Sequence, residues 1–182
     1  MSNFGKHGQT GGGGVRRPGG GQGGGSYGGR SGGGYHDQPE DKIANHWPDY
    51  LKDGYFDADG NLRIEYVSRE KVEPLIQKMA NAQPKLTTGQ LRRFFQHCRG
   101  LETKLKSGAA TWAAIRPQFE FLDAASADAF GKTPHKIPDL FYDFISRNVH
   151  AVKTEKDFLQ GFLPHFEALV GFGSLHVQKD RN

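Results

Sequence analysis

The chain has 182 residues, enough for one domain and a tail, with 24 basic and 20 acidic side chains and a formal net charge of +4. No apolar run approaches the roughly 18 residues of a membrane span, and Cys98 is the only cysteine, which excludes a disulfide framework and fits a reducing cytoplasm. Residues 1–36 hold Lys6, Arg16, Arg17 and Arg30 and no acid, which accounts for the whole net charge.

The rest of the charge is unevenly placed. Six basic and ten acidic residues lie in 37–84, seven and one in 85–119, and seven and nine in 120–182. The basic character of the foldable part therefore concentrates around residues 85–119.

Residues 1–36 contain 17 of the 26 glycines. Such a segment cannot bury enough apolar area to offset its ordering entropy, which predicts a disordered Gly/Arg-rich tail ahead of a helical domain at 37–182. The start of the chain is glycine-rich rather than apolar, unlike a secretory signal. The glycines have neither a strand before them nor a helix after them, so they form no phosphate loop. Arg16, Arg17 and Arg30 with Tyr27 and Tyr35 have the composition of a sparse RNA-binding arm. No RGG triplet occurs, and a simple spacer explains the segment as well.

After an acidic patch, His46-Trp47-Pro48 and Tyr50-Leu51 read as a short turn that packs aromatics on the main body. Tyr55 to Ile64 reads as a small β-hairpin turning at Asp59-Gly60. A calcium loop is rejected there: with Gly60 at position 6, tyrosines occupy positions 1 and 12, where carboxylates are needed. Ser68 opens a helix over 69–82 with Val72, Leu75, Ile76, Met79 and Ala80 on one face. Pro74 should kink it or delay its start, and Pro84 closes it.

The clearest element follows, a helix over 88–107, about 30 Å long. Thr87 and Gln90 have capping-box spacing, Leu86 and Leu91 form a hydrophobic staple, and Gly108 suits the left-handed residue past the end. At 100° per residue, Leu91, Phe94, Phe95, Cys98, Leu101 and Leu105 form one core-facing stripe. Arg92, Arg99 and Lys106 line one flank; Arg93, His97 and Lys104 line the other. Glu102 falls inside the apolar arc, so it pairs with Lys106 or Arg99 or faces a partner.

A third helix over 110–130 carries Ile115, Phe119, Leu122, Ala125 and Ala129, with Trp112 and Phe121 broadening the face and Pro117 implying a kink or late start. Gly131 and Pro134 end it. Pro138 at a first helical position opens a fourth helix over 138–150, with Leu140, Phe141, Phe144, Ile145 and Val149 inward. Thr154, with Asp157 standing in for capping-box Glu, opens a fifth over 155–175, which Gly161 and Pro164 should bend. The fold class is all-α: a compact five-helix bundle with a small N-terminal β-hairpin and the glycine-rich tail.

Nothing in the chain points to catalysis or to a metal or other cofactor. The histidines show no ligand spacing, and His46, His135, His150, His165 and His176 read as surface or half-buried side chains. Asp139 and Asp143 read as helix N-terminal charges. Cys98, on the apolar stripe, reads as a small core hydrophobe. A charged helix flank is often only a solvated face. Here, however, Glu102 is the single acid between Lys85 and Phe119, and arginine grips phosphate in a fork. Steps of about 10 Å from Arg92 to Arg99 to Lys106 suit a nucleic-acid backbone rather than base edges.

The run Gln83-Pro84-Lys85-Leu86-Thr87-Thr88-Gly89-Gln90-Leu91-Arg92-Arg93-Phe94-Phe95, continued by Leu101-Glu102-Thr103-Lys104-Leu105, resembles the signature of the small subunit of the type III-A CRISPR (Csm) interference complex. Asn61-Leu62-Arg63 with Glu65-Tyr66-Val67, Ile115 to Phe119, and His165 to Val170 are similar to that family too, so the resemblance spans about residues 54–173. Three features depart from it: the tail, the acids Glu120 and Asp123 after Phe119, and Gly171-Phe172-Gly173 near the end.

The resemblance implies a non-catalytic cytoplasmic subunit of an antiviral ribonucleoprotein. Several copies would stack along the repeat backbone subunits, beside guide RNA and target RNA and next to the large polymerase-like subunit. It puts Arg92 and Arg93 first as RNA contacts, supported by Lys85, Arg99, Lys106 and Arg116. Guide–target pairing would do the sequence reading, leaving backbone contacts to the protein. Two other readings stand beside it: a purely protein-binding bundle, and a free-standing RNA-binding chaperone working through the arginine–glycine tail. Deleting residues 1–36 separates the last from the helical reading, because RNA affinity retained by the truncated chain assigns binding to the helices.

Overall fold

The computed structural model describes residues 41–178; the expected tail at 1–36 lies outside them. Within the described residues the chain is all-helical, with five α-helices and no strand. They are α1 (Arg69–Asn81), α2 (Thr88–Lys106), α3 (Trp112–Gly131), α4 (Asp139–Ala151) and α5 (Leu163–His176), the last preceded by a π-helical turn (Asp157–Phe162).

The caps explain most of the boundaries. The Thr87 hydroxyl accepts from the Gln90 N–H at 3.3 Å, and the Thr87 N–H donates to Gln90 Oε1 at 2.9 Å, a closed capping box. Gly108 follows α2 with φ +70°. Thr154 and Asp157 reciprocate in the same way, at 3.1 and 2.8 Å. Two starts differ from the sequence reading. The Ser68 hydroxyl turns back to the Glu65 carbonyl instead of capping α1, and Pro138 is the residue before α4 rather than its first.

Pro74 and Pro117 neither delay nor interrupt their helices; each is the sixth residue of an unbroken element. A proline there withdraws the partner of one carbonyl only, that of Glu70 or Ala113, and both residues are exposed to water. Pro164 acts differently. It has no N–H for Gln160 and its ring crowds that carbonyl, and the chain widens just ahead of it into a π turn in which the Leu163 N–H reaches the Phe158 carbonyl.

Helix α5 is the axis of the bundle, packed against α1 and α2, while α3 packs on α4 and touches α2. Phenylalanines join the helices through edge contacts: Phe95 to Phe166 at 5.3 Å, Phe94 to Phe141 at 5.3 Å, Phe119 to Phe162 at 5.4 Å, Phe144 to Phe166 at 5.5 Å. Each such pair adds about 0.5–1.5 kcal/mol beyond burial. Two glycines allow close approach. A Cβ on Gly161 would lie 2.6 Å from the Tyr55 ring, and one on Gly173 would lie 3.0 Å from Leu91. Gly161 therefore serves packing, and the π turn lies just ahead of Pro164.

Residues 41–66 wrap onto this body. Ile43, Trp47, Tyr50, Tyr55 and Tyr66 are buried. At 55–64 the chain makes a tight loop closed by one antiparallel bridge, Phe56 to Leu62. Asp57 Oδ1 accepts the N–H groups of Asp59 and Asn61, and Gly60 turns with φ +80°. The Asp143 carboxylate accepts the Ile43 N–H at 2.9 Å and pairs with Arg147 at 2.8 Å, so it anchors the wrap rather than serving as a helix-start charge.

The wrap is held from inside by a polar network. His165, expected at the surface or half-buried, is fully buried. Its Nδ1 faces the Tyr66 carbonyl at 2.5 Å, which must receive a proton, so Nε2 is the acceptor for the Tyr50 hydroxyl at 2.8 Å. Tyr50 accepts in turn from Asn148 Nδ2 at 2.6 Å, and Asn148 Oδ1 accepts from the Tyr55 hydroxyl at 2.8 Å. One consistent direction of donation satisfies every member. Burial pushes the Tyr50 and Tyr55 phenols up, so they stay protonated.

Burial holds His165 down at about 4, against an ordinary 6.5. Between those values the unfolded chain takes up a proton that the folded chain refuses. Stability is therefore full above about pH 6.5 and falls toward pH 4, by up to about 3 kcal/mol. Urea midpoints should show this loss, and His165→Phe, though less stable, should flatten it. In the same assay Gly161→Ala should cost about 1–3 kcal/mol. Gly171→Ala, in open space, should gain up to about 1 kcal/mol.

Candidate nucleic-acid interface

Helix α2 buries Leu91, Phe94, Cys98, Leu101 and Leu105 and leaves its basic residues exposed. Cys98 donates to the Phe94 carbonyl at 3.3 Å, and burial pushes its thiol far up, so it is an inert core side chain. Two N–H groups in the first turn of α2 already have partners. Thr87 takes the Gln90 N–H, and the Thr88 N–H and hydroxyl both go to the Gln178 carbonyl, at 3.2 and 3.0 Å.

On the first flank, Glu102 takes both of the partners foreseen for it. Its side chain, 9% exposed, meets Arg99 at 2.7 Å and Lys106 at 2.7 Å. Two cations against one buried acid leave one net positive charge on this triad. The Arg99 guanidinium also lies 5.9 Å from the Phe95 ring centre. Arg92, one turn or more away, has no ion pair or hydrogen bond from its side chain among the described residues.

The second flank leans on α3. Gln118 bridges the two helices: its carbonyl meets His97 Nε2 at 2.9 Å, and its side chain accepts from Lys104 at 2.9 Å. Arg93 has no such partner among the described residues. Arg116, two residues before Gln118, pairs with Glu120 at 2.8 Å across an exposed turn of α3, a contact worth at most about 1 kcal/mol and readily exchanged for phosphate. Lys85, ahead of the helix, is exposed and likewise without a partner among the described residues. The six candidates thus divide. Lys85, Arg92 and Arg93 stand open, Arg99 and Lys106 share a buried acid, and Arg116 is held loosely.

Phe121 is the residue that sequence reading misplaced. Read as broadening the core face of α3, it is 65% exposed. Its angular position carried the signal: it lies about 120° round the helix from the stripe of Ile115, Phe119 and Leu122. With Arg93, Phe94, His97, Leu122 and Ala125 it lines a slot of about 180 Å³ between α2 and α3. Beside it is a recess of about 380 Å³, edged by Gln90, Asp128, Lys132 and Lys136. Gln90 also hydrogen-bonds the Lys136 carbonyl, tying the start of α2 to the loop that carries this rim. Among the described residues no group of three or more His, Cys, Asp or Glu side chains is placed to hold a metal, and no helix is long and apolar enough to cross a membrane.

Compared with known proteins, residues 69–179 match the family described as Csm2 Type III-A. The match takes in all five helices and both flanks of α2, and leaves out the wrap at 41–66. No curated protein and no solved structure matches the chain.

The Glu102 triad generates a prediction. Glu102→Gln should release Arg99 and Lys106 while both stay solvated, so thermal stability should change little. Binding to single-stranded RNA should strengthen, with a salt slope steeper by about 0.7 for one further phosphate neutralised. An unchanged slope would place Arg99 and Lys106 away from RNA.

Proposed function

The chain belongs to the Csm2 type III-A family, a small subunit of a type III-A CRISPR complex, and from that premise we propose that it is a non-catalytic RNA-contacting subunit. It lies in several copies beside guide RNA and target RNA and holds them through the sugar–phosphate backbone. The observation that carries this reading is the pair Arg92 and Arg93, exposed on opposite flanks of α2 and without a partner among the described residues. Long cations left unpaired on a helix otherwise anchored to the core suit a polyanionic ligand. Lys85 extends the track at one end, and Arg99, Lys106 and Arg116 supply secondary contacts once phosphate competes with their carboxylates.

Stacking of copies needs two unlike surfaces, because a head-to-tail array is heterologous. The wrap supplies an acidic one, with Asp49, Asp53, Asp57 and Asp59 exposed, against the basic surface of α2. In the assembly the copies run along the repeat backbone subunits, next to the large polymerase-like subunit, in the cytoplasm. Nothing in this role calls for a cofactor.

The test uses the full chain with single-stranded RNAs of unrelated sequence. Replacing Arg92 and Arg93 together by alanine should weaken binding to all of them alike and lower the salt slope by about 1.4 for two phosphate contacts, leaving thermal stability intact. Loss for one sequence only would refute backbone contact.

A further inference from the structure

The slot beside Phe121 has a character that phosphate contacts do not explain. Its floor is apolar, made by Phe94, Leu122 and Ala125, and its wall is an exposed aromatic face. At about 180 Å³ it is smaller than the usual 300–1,000 Å³ of small-molecule sites, and it has the scale of one planar ring. Its surroundings are cationic. Arg93 and His97 stand on one side. Across the adjoining recess, Lys132 neutralises Asp128 at 2.6 Å, leaving Lys136 as the exposed charge of that rim.

We propose that this slot receives an unpaired nucleobase of single-stranded RNA, stacked on Phe121, with its ribose in the recess and the adjoining phosphates on Arg93 and Lys136. The assignment deepens the RNA-contacting reading above and rests on it. An apolar ring-sized slot between cations is complementary to a nucleotide, which places a flat apolar face beside a negative charge. A protein side chain would satisfy the slot but not the cations. Stacking on an aromatic ring accepts any base, so the site grips RNA without reading its sequence, in keeping with the backbone contacts along α2. It also accounts for Phe121, which otherwise leaves a large ring in water with no packing role.

The full-length protein, at low salt, is mixed with an oligouridylate carrying one 2-aminopurine. Binding is followed by anisotropy and stacking by quenching of the 2-aminopurine. Wild type should quench. Phe121→Tyr should quench as well, whereas Phe121→Ala should not, and its affinity should fall about 5- to 150-fold with an unchanged salt slope. Because Phe121 is largely exposed, the alanine variant should keep its circular dichroism and thermal midpoint. Three outcomes would overturn the assignment. If Phe121→Ala binds and quenches like wild type while Arg92→Ala with Arg93→Ala still weakens binding, the slot fails and the RNA reading stands. If wild type leaves the anisotropy unmoved, both fall. If Phe121→Ala leaves RNA binding intact but shifts the sedimentation of the free protein, the slot is a contact between copies.

Discussion

The structure depends on the burial of α5. That helix is apolar around most of its circumference, with Phe166, Leu169 and His165 buried and Gly173 set against Leu91, so it is stable only when covered. Helices α1 and α2 cover one part of it. The wrap covers another, through the Tyr50–His165–Tyr66 contacts. Covering α5 uses one stripe of α2. Arg92 and Arg93, on the flanks of α2, are left exposed, while His97 and Lys104 are engaged with Gln118 of α3.

Because the arginines are not needed for packing, their local electrostatics decide what they can do. One buried carboxylate, Glu102, holds Arg99 and Lys106 near each other without leaving two uncompensated like charges side by side. The same device on α3, Glu120 with Arg116, is exposed and therefore weaker. Arg92 and Arg93 have neither. The basic surface is graded, from cations without a partner among the described residues to cations already engaged.

Helix α2 was legible in detail because its signals are local: Thr87 and Gln90 are three residues apart, and Glu102 had only two cations within reach. The fifth helix was legible at its start for the same reason. What failed to show were features set by distant chain. His165 looks isolated in sequence, yet its partners Tyr50 and Tyr66 lie about a hundred residues upstream. Gly161 reads as a weak point in a helix until Tyr55 is seen against it. Phe121 was a different failure: its position was calculable from helical geometry, and the habit of counting every large apolar residue into the core hid it. The division of the six candidate cations into open and engaged was legible only for Arg99 and Lys106, through Glu102, since pairing depends on rotamers as well as spacing.

The close approaches at Gly161 and Gly173 tie packing to particular positions, and the exposed cations of α2 stand apart from them. Gly161 and Gly173 have no room for a larger side chain, whereas Arg92 and Arg93 lie exposed on the outer surface of α2. A lineage of such chains can therefore vary Arg92 and Arg93 one at a time while the bundle stays the same, and variation should accumulate along the rim of the molecule rather than through its axis.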